Sequence, residues 1–360
     1  MRQLLRFRKS KNSKNFSVIF GFITPFALLI FVFLCSRLPD FAETYIQNCY
    51  PAIATLLSFI SSAVSFSLFD VLIIVAILAF ICSIVLILMR KISFRRWIKV
   101  VFSAILWIVS WFYMAWGIAY FRPGFHERFG VEPPAEDTVY FEALVCRYID
   151  SLNKSYIADS HFDIDEIDQA IETSYRQLSK QLRIPYPCGK RRPKCSVIEG
   201  LMTRTGVAGF FGPFFNEEHL NFYMLPVSYP FSSAHEKAHQ FGIASESECN
   251  LYASVVCCSS EHSLVRYSGY LETVWYLLRN LRKMSPVKYP EIVRKIDSRI
   301  IDDYQKISLH WQKALNPTLS SVQDKVYDSY LKTNKQQSGI LSYSEMTVLL
   351  VAWEQIIAKK

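Results

Sequence analysis

Two things are scarce in this chain, each in a different part of it. Acidic residues nearly vanish from residues 1–120, which carry only Asp40, Glu43 and Asp70 against 12 Lys and Arg. Apolar runs of membrane-spanning length vanish after Arg122. Residues 121–360 hold 28 basic and 28 acidic side chains, so the formal net charge of +9 belongs to the N-terminal third. A basic balance confined to an apolar region gives no footprint for nucleic acid. A cysteine metal cluster is missing too. Cys257 and Cys258 are adjacent and read as core, while Cys188 and Cys195 bracket a basic Gly-Lys-Arg-Arg-Pro-Lys loop. In an oxidising compartment that pair would suit a short disulfide; otherwise they are two free surface thiols.

What the first third does contain is hydrocarbon. Arg2, Arg6, Arg8, Lys9, Lys11 and Lys14 precede an uncharged run over about 16–36, and further runs follow at about 69–89 and 97–120. Each is long enough for a helix to cross a bilayer core, which takes roughly 20 residues. The first also has the look of a signal peptide, but its length and the absence of a small-x-small cleavage site before a soluble stretch favour a retained span. Arg90, Lys91, Arg95, Arg96 and Lys99 crowd the connection between the second and third spans. By the positive-inside rule that loop and the N-terminus are cytoplasmic, and three spans leave residues 121–360 outside the cytoplasm. The uncharged stretch 50–67 reads as an interfacial helix on the outer surface, and Asp70 as a helix-start acid.

The chemistry is concentrated in Ser233-Ala-His-Glu-Lys-Ala-His-Gln-Phe-Gly-Ile-Ala-Ser-Glu-Ser-Glu-Cys-Asn250. His235 and His239 stand one helical turn apart, so both imidazoles can reach one ion, and Glu236 between them can take a proton from zinc-bound water. Gly242 can end that helix in a left-handed turn. Beyond it Glu246 offers a third ligand, with Glu248 its competitor. Asn250, one turn on from Glu246, can hold the far nitrogen of a ligand histidine.

This segment resembles the Glu-zincins, zinc peptidases with His-Glu-x-x-His and a downstream Glu-x-Glu-Ala-Asn type helix; Cys249 stands here where alanine is usual. A wider resemblance is to the bacterial membrane-protein family known as domain of unknown function 3810. It is carried by the membrane-spanning start, Gly206-Val-Ala-Gly-Phe-Phe-Gly-Pro-Phe-Phe, Arg266-Tyr-Ser-Gly-Tyr-Leu and Tyr327-Asp-Ser-Tyr-Leu-Lys-Thr-Asn. The resemblance implies a membrane-anchored, zincin-like peptidase, periplasmic in its catalytic part, and suggests that the segment before the zinc helix pairs with extended substrate.

The expected fold is therefore mainly α: transmembrane helices over 1–120, then an α-rich zincin-like (α+β) domain over 121–360 with a small β element. Two strands are expected at 207–215 and 220–226, separated by Asn216-Glu217-Glu218. Tyr267 and Tyr270 are candidate donors to a developing oxyanion, with His262 and Arg266 as rivals. The expected activity is hydrolysis of a peptide or protein substrate at the bilayer's outer side, using Zn2+. The alternative is a zinc-binding membrane sensor or scaffold without turnover.

Overall fold

The computed structural model describes residues 19–158, 161–334 and 342–359. The basic N-terminal cluster and residues 16–18 of the first expected span lie outside them. A π-helical turn, Ile19–Ile23, leads into α1 (Thr24–Arg37), followed by α2 (Pro39–Asn48), α3 (Tyr50–Ser62), α4 (Leu68–Leu88) and α5 (Phe94–Ala115). Three helices, Phe20–Arg37, Leu68–Leu88 and Phe94–Ala115, are long and apolar enough to cross a membrane. Along α4 Asp70 is the one buried residue and residues 71–82 are all exposed, as suits lipid rather than water. The third span ends at Ala115, earlier than its hydrophobicity suggests, because the chain tightens into a 3₁₀ turn at Gly117–Phe121.

The rest of the chain is helical around one hairpin. In order come α6 (Phe125–Phe129), α7 (Thr138–Ser155), α8 (Ile164–Leu178) and α9 (Glu199–Thr205), then β1 (Gly209–Gly212) and β2 (Glu217–Leu220). After them run α10 (Tyr229–Gln240), α11 (Glu246–Cys258), α12 (Ser263–Met284), α13 (Tyr289–Val293), α14 (Ser298–Ala314), α15 (Pro317–Thr333) and α16 (Ser342–Ala358). Side-chain caps mark several starts: Asp137, Asp163 and Ser245 each accept a backbone N–H two or three residues into the helix that follows. Helix α11 is the hub, packed on α10, α12, α16 and α8 and buried at every residue from Glu246 to Cys257. Burial on all sides removes the amphipathic period that would otherwise mark it.

The strands are shorter than the expected 207–215 and 220–226, and the acids expected between them lie inside β2. Glu217, Glu218 and His219 are each no more than 1% exposed. Such burial is tolerable because each acid is paired. Glu217 meets Lys194 at 2.7 Å, and Glu218 accepts from Ser233 Oγ at 2.6 Å. The turn reverses at Asn216 (φ 54°), a residue type that tolerates the left-handed region.

A second apolar cluster crosses the division at residues 120 and 121. It joins Val32 and Cys35 of α1, Tyr45 and Ile46 of α2, Tyr50 and Ala54 of α3 and Trp116 to Ala244, which lies between α10 and α11. Helix α3 is thus not simply laid on a surface. Its Tyr50 hydroxyl donates to Gln240 O at 2.8 Å, while Leu56 and Phe59 on the other face are exposed. Gly242 sits in this contact with φ 80°, and a Cβ there would lie 2.9 Å from Ile46 Cγ2. Only glycine meets both demands.

Candidate metal centre

Helix α10 carries His235, Glu236 and His239, and Gly242 turns the chain so that the first turn of α11 comes back over them. His235 Nε2 lies 3.1 Å from Glu246 Oε2, and His239 Nε2 lies 3.6 Å from Glu246 Oε1. Tetrahedral bonds of about 2.0–2.1 Å set neighbouring ligand atoms roughly 3.3–3.4 Å apart. The two imidazole–carboxylate distances are of that order, one to each oxygen of Glu246. Both rings are fixed from behind: the Nδ1–H of His235 donates to Asn250 Oδ1 at 2.9 Å, and that of His239 to Ile243 O at 2.8 Å. These bonds select the tautomer that leaves each Nε2 facing Glu246.

Electrostatics follow from burial. Glu236 is pushed up to about 8 by burial, with the Glu246 and Glu218 charges adding to it. Its Oε2 is buried without a hydrogen-bond partner. Burial opposes ionisation of Glu246, but His239, then His235, then the Tyr327 hydroxyl hold it down at about 2. Burial also works against the charged form of His235, and Glu246 outweighs it, lifting the imidazole to about 9; His239 is lowered, by burial first. A proton shared between histidine and carboxylate, beside an acid with a free lone pair, is the state expected where a cation can replace that proton.

Ligand atoms of His235, His239 and Cys249 also lie within 4.8 Å of one another, so this buried group could hold a metal ion. The thiol, however, approaches Nδ1 of His239, at 3.3 Å, and that nitrogen's proton is committed to Ile243 O. Burial raises the Cys249 thiol far above its ordinary range, which disfavours thiolate. Glu246 stands on the Nε2 side of the rings. Glu248 points away, ion-paired to Arg128.

A cleft of about 800 Å³ opens over the site, lined by Trp116, Gly209, Phe211, Glu272, Tyr276 and Tyr327 among others. Its hydroxyl donors differ from the expected ones. Tyr267 bonds Asp303 at 2.7 Å, and Tyr270 packs edge-on against Tyr148. Neither lines the cleft, because both face α7 and α14 from the far side of α12. His262 caps α12 and Arg266 donates to Ser260 O at 2.8 Å, so neither rival lines it. Four tyrosines do line it: Tyr120 and Tyr330, whose hydroxyls bond each other at 3.0 Å, Tyr327, whose hydroxyl is 2.5 Å from Glu246 Oε1, and Tyr276, at 3.3 Å from Asn250 Oδ1. Tyr327 opens the Tyr-Asp-Ser-Tyr segment noted in the sequence, but nothing there gave it a role; Tyr276 carried no signal. Cys188 and Cys195 are both free and exposed, the latter's thiol donating to Glu199, so no disulfide closes the basic loop.

The face of α10 opposite the site is also polar. Lys237, fully buried, meets Asp168 at 2.8 Å, Glu172 at 2.9 Å and Glu218 at 3.3 Å. Arg191 closes on Glu172 at 2.8 Å. The i, i+4 acids of α8 were a legible request for a cation, but not for one inside the motif itself. No curated protein and no solved structure matches the chain. The family model described as Protein of unknown function (DUF3810) matches residues 45–351, from α2 through the site to α16, and the chain belongs to that family.

Proposed function

We propose that the protein is a membrane-anchored zinc metallopeptidase of zincin-like architecture, with its site on the side of the membrane opposite the basic 90–99 loop. The observation that carries this reading is the approach of His235 Nε2 and His239 Nε2 to the two oxygens of Glu246, at 3.1 and 3.6 Å, beside the unpartnered Oε2 of Glu236. Zinc held there would supply a Lewis acid for a carbonyl and a water nucleophile at neutral pH. His235, His239 and Glu246 hold it, and Asn250 and Ile243 O keep the two rings aimed. Glu236 would take a proton from the attacking water at Oε2 and return it to the leaving amine, since that oxygen is buried beside the ligands without a hydrogen-bond partner. Tyr276 and Tyr327, which bond Asn250 and Glu246, are the cleft hydroxyls that could turn toward a developing oxyanion.

The hairpin supplies the binding surface. Lys194 N donates to Glu218 O at 2.9 Å and Leu220 N to Lys194 O at 3.0 Å, so these residues of β2 turn their backbone groups away from β1. Their partners in the antiparallel register, Phe211 and Gly209, then turn their own N–H and C=O groups toward the opposite, open edge. An extended peptide adds there as a third strand. Gly209 is required because a Cβ would stand 3.0 Å from Glu236 Oε1.

The test is zinc content by elemental analysis of the purified full chain, with hydrolysis of an unstructured peptide library alongside. One zinc per chain is expected, retained in Glu236→Gln and Glu248→Ala and lost in His239→Ala and Glu246→Ala. Turnover should fall roughly 10²- to 10⁴-fold in Glu236→Gln. A folded chain without zinc, or a zinc-replete Glu236→Gln variant that still cleaves, would overturn the assignment.

A further inference from the structure

We infer that the substrate is the extended juxtamembrane segment of a membrane-anchored polypeptide, cut within a few residues of the bilayer. The inference rests on the peptidase reading and adds the class of substrate. It comes from where the two ends of the open strand edge lie. At one end, Gly209 touches Glu236. At the other, the hairpin turn descends between two membrane helices: Trp111 Nε1 of α5 donates to Phe214 O at 3.3 Å, and the Phe69 ring of α4 lies 5.9 Å from Phe214 and 6.0 Å from Phe210. Helix α4 has 21 residues. At 1.5 Å per residue that is about 31 Å, the thickness of the hydrocarbon core, which puts Phe69 in its first turn at the hydrocarbon boundary.

The height of the hairpin is fixed rather than set by a linker. The Glu217 carboxylate accepts from Leu68 N at 3.0 Å and Phe69 N at 2.9 Å, the opening amides of α4, while Lys194 Nζ neutralises it. Ser67 Oγ, the cap of the same helix, lies 2.8 Å from His219 Nε2. Asp70 in its first turn accepts from Ser196 Oγ and Val197 N, just before α9. On the other side Trp116, the residue that ends α5, donates to His239 O at 2.8 Å. Spanning helices thus hold both the edge strand and a metal-site histidine.

A peptide paired along β1 therefore runs from the reacting centre toward the bilayer. From Gly209 to the turn at Phe214 is at most five residue steps, roughly 17 Å of strand. A chain lying in that track enters the membrane roughly three to six residues beyond the bond that Glu236 reaches. Apolar surface flanks the track at the same level: Phe66 beside Ser67 and Val197 beside Asp70 are 55% and 72% exposed.

The experiment uses the full chain, zinc-loaded, in phosphatidylcholine liposomes. The probe is a random unstructured decapeptide library, either free or joined to a dipalmitoyl anchor through Gly-Ser spacers of about 4 or about 20 residues. Two readouts are taken: cleavage positions by mass spectrometry, and photo-crosslinking from Gln323→p-benzoylphenylalanine, a cleft position on α15, in a Glu236→Gln background. Cuts at the anchor-proximal end of the short-spacer decapeptide, within roughly six residues of the anchor and at a rate at least 10-fold above the long-spacer and free libraries, and crosslinking of the anchored library alone would support the inference. Cuts spread evenly along the anchored chain, or equal cleavage and crosslinking of the free library, would overturn it and leave the peptidase reading standing. If zinc-replete protein cleaves nothing, the peptidase reading fails and crosslinking decides alone: capture of only the anchored library supports the docking of a membrane segment, and no capture sinks it.

Discussion

At the scale of single residues the site is held by groups that do no chemistry themselves. Asn250 keeps His235 in the tautomer that leaves Nε2 available, so Asn250→Ala should lower zinc affinity about 10- to 100-fold; a competitive chelator titration reads it, and an unchanged affinity would remove Asn250 from the site. Gly209→Ala should retain zinc but slow cleavage about 10-fold or more, because the new methyl meets His219 O of the paired strand at 2.9 Å and Glu236 Oε1 at 3.0 Å, and the flexible carboxylate is the group that gives way. Protonation gives a third expectation. Burial holds Glu236 up at about 8 against an ordinary value of 4.5, and His235, for which the Glu246 carboxylate outweighs burial, stands at about 9 against 6.5. Between those limits these two groups keep protons that the unfolded chain releases, so their contribution to the stability of the chelated protein should fall as pH rises from about 5 to about 9, while His239, lowered by burial, opposes it only at the acid end of that range. Zinc takes the place of the proton, so the loaded protein should vary less. Thermal unfolding across that range, with and without chelator, checks the sign; a chelated protein that gains stability with pH would contradict it.

At the scale of elements, helix α10 is clamped between two polar faces, one for chemistry and one for support. Lys237 neutralises carboxylates from α8 and β2, so one side chain fixes the metal helix to the helix behind it and to the strand beside it. Removing it strands buried carboxylates, and Lys237→Ala should cost about 3–5 kcal/mol, measured by denaturant unfolding. A change under about 1 kcal/mol would mean that the cluster is better solvated than its burial implies. The hairpin is open to a sharper test. Phe211 turns its N–H away from β2, so Phe211→Pro sacrifices no ladder bond yet deletes a donor on the open edge. It should keep zinc binding and fold while losing cleavage of extended peptides; undiminished cleavage would rule out strand addition.

At the scale of the whole molecule the apolar N-terminal helices and the part that carries His235, His239 and Glu246 are one folded unit. Trp116 and Tyr50 hydrogen-bond the last turn of the metal helix, and Ile46 packs against Gly242. A fragment of residues 121–360 lacks all three. It should bind zinc at least 10-fold more weakly than the full chain, because the turn that brings Glu246 back over the histidines has lost its support; equal affinity would show that the membrane part is only a tether.

The sequence by itself determined the three apolar helices, the helical class, and His235, Glu236, His239, Glu246 and Asn250 as one cluster. These are local properties: hydrophobic length, a four-residue helical spacing, and a glycine where the chain must turn. Tertiary structure alone turned Glu246 rather than Glu248 toward the two imidazoles, since only packing brings Arg128 to Glu248. It also placed Tyr276 and Tyr327 in the cleft instead of Tyr267 and Tyr270, left Cys188 and Cys195 unpaired, and put two acids inside a buried strand. The partners of Glu217, Glu218, Glu248, Tyr276 and Tyr327 lie fifteen or more residues away, and the placing of Tyr267 and Tyr270 depends on which side of a helix faces the cleft. Spacing along a chain specifies neighbours within a turn or two, whereas the identity of a distant partner is fixed only when burial forces every charge and hydroxyl to find one.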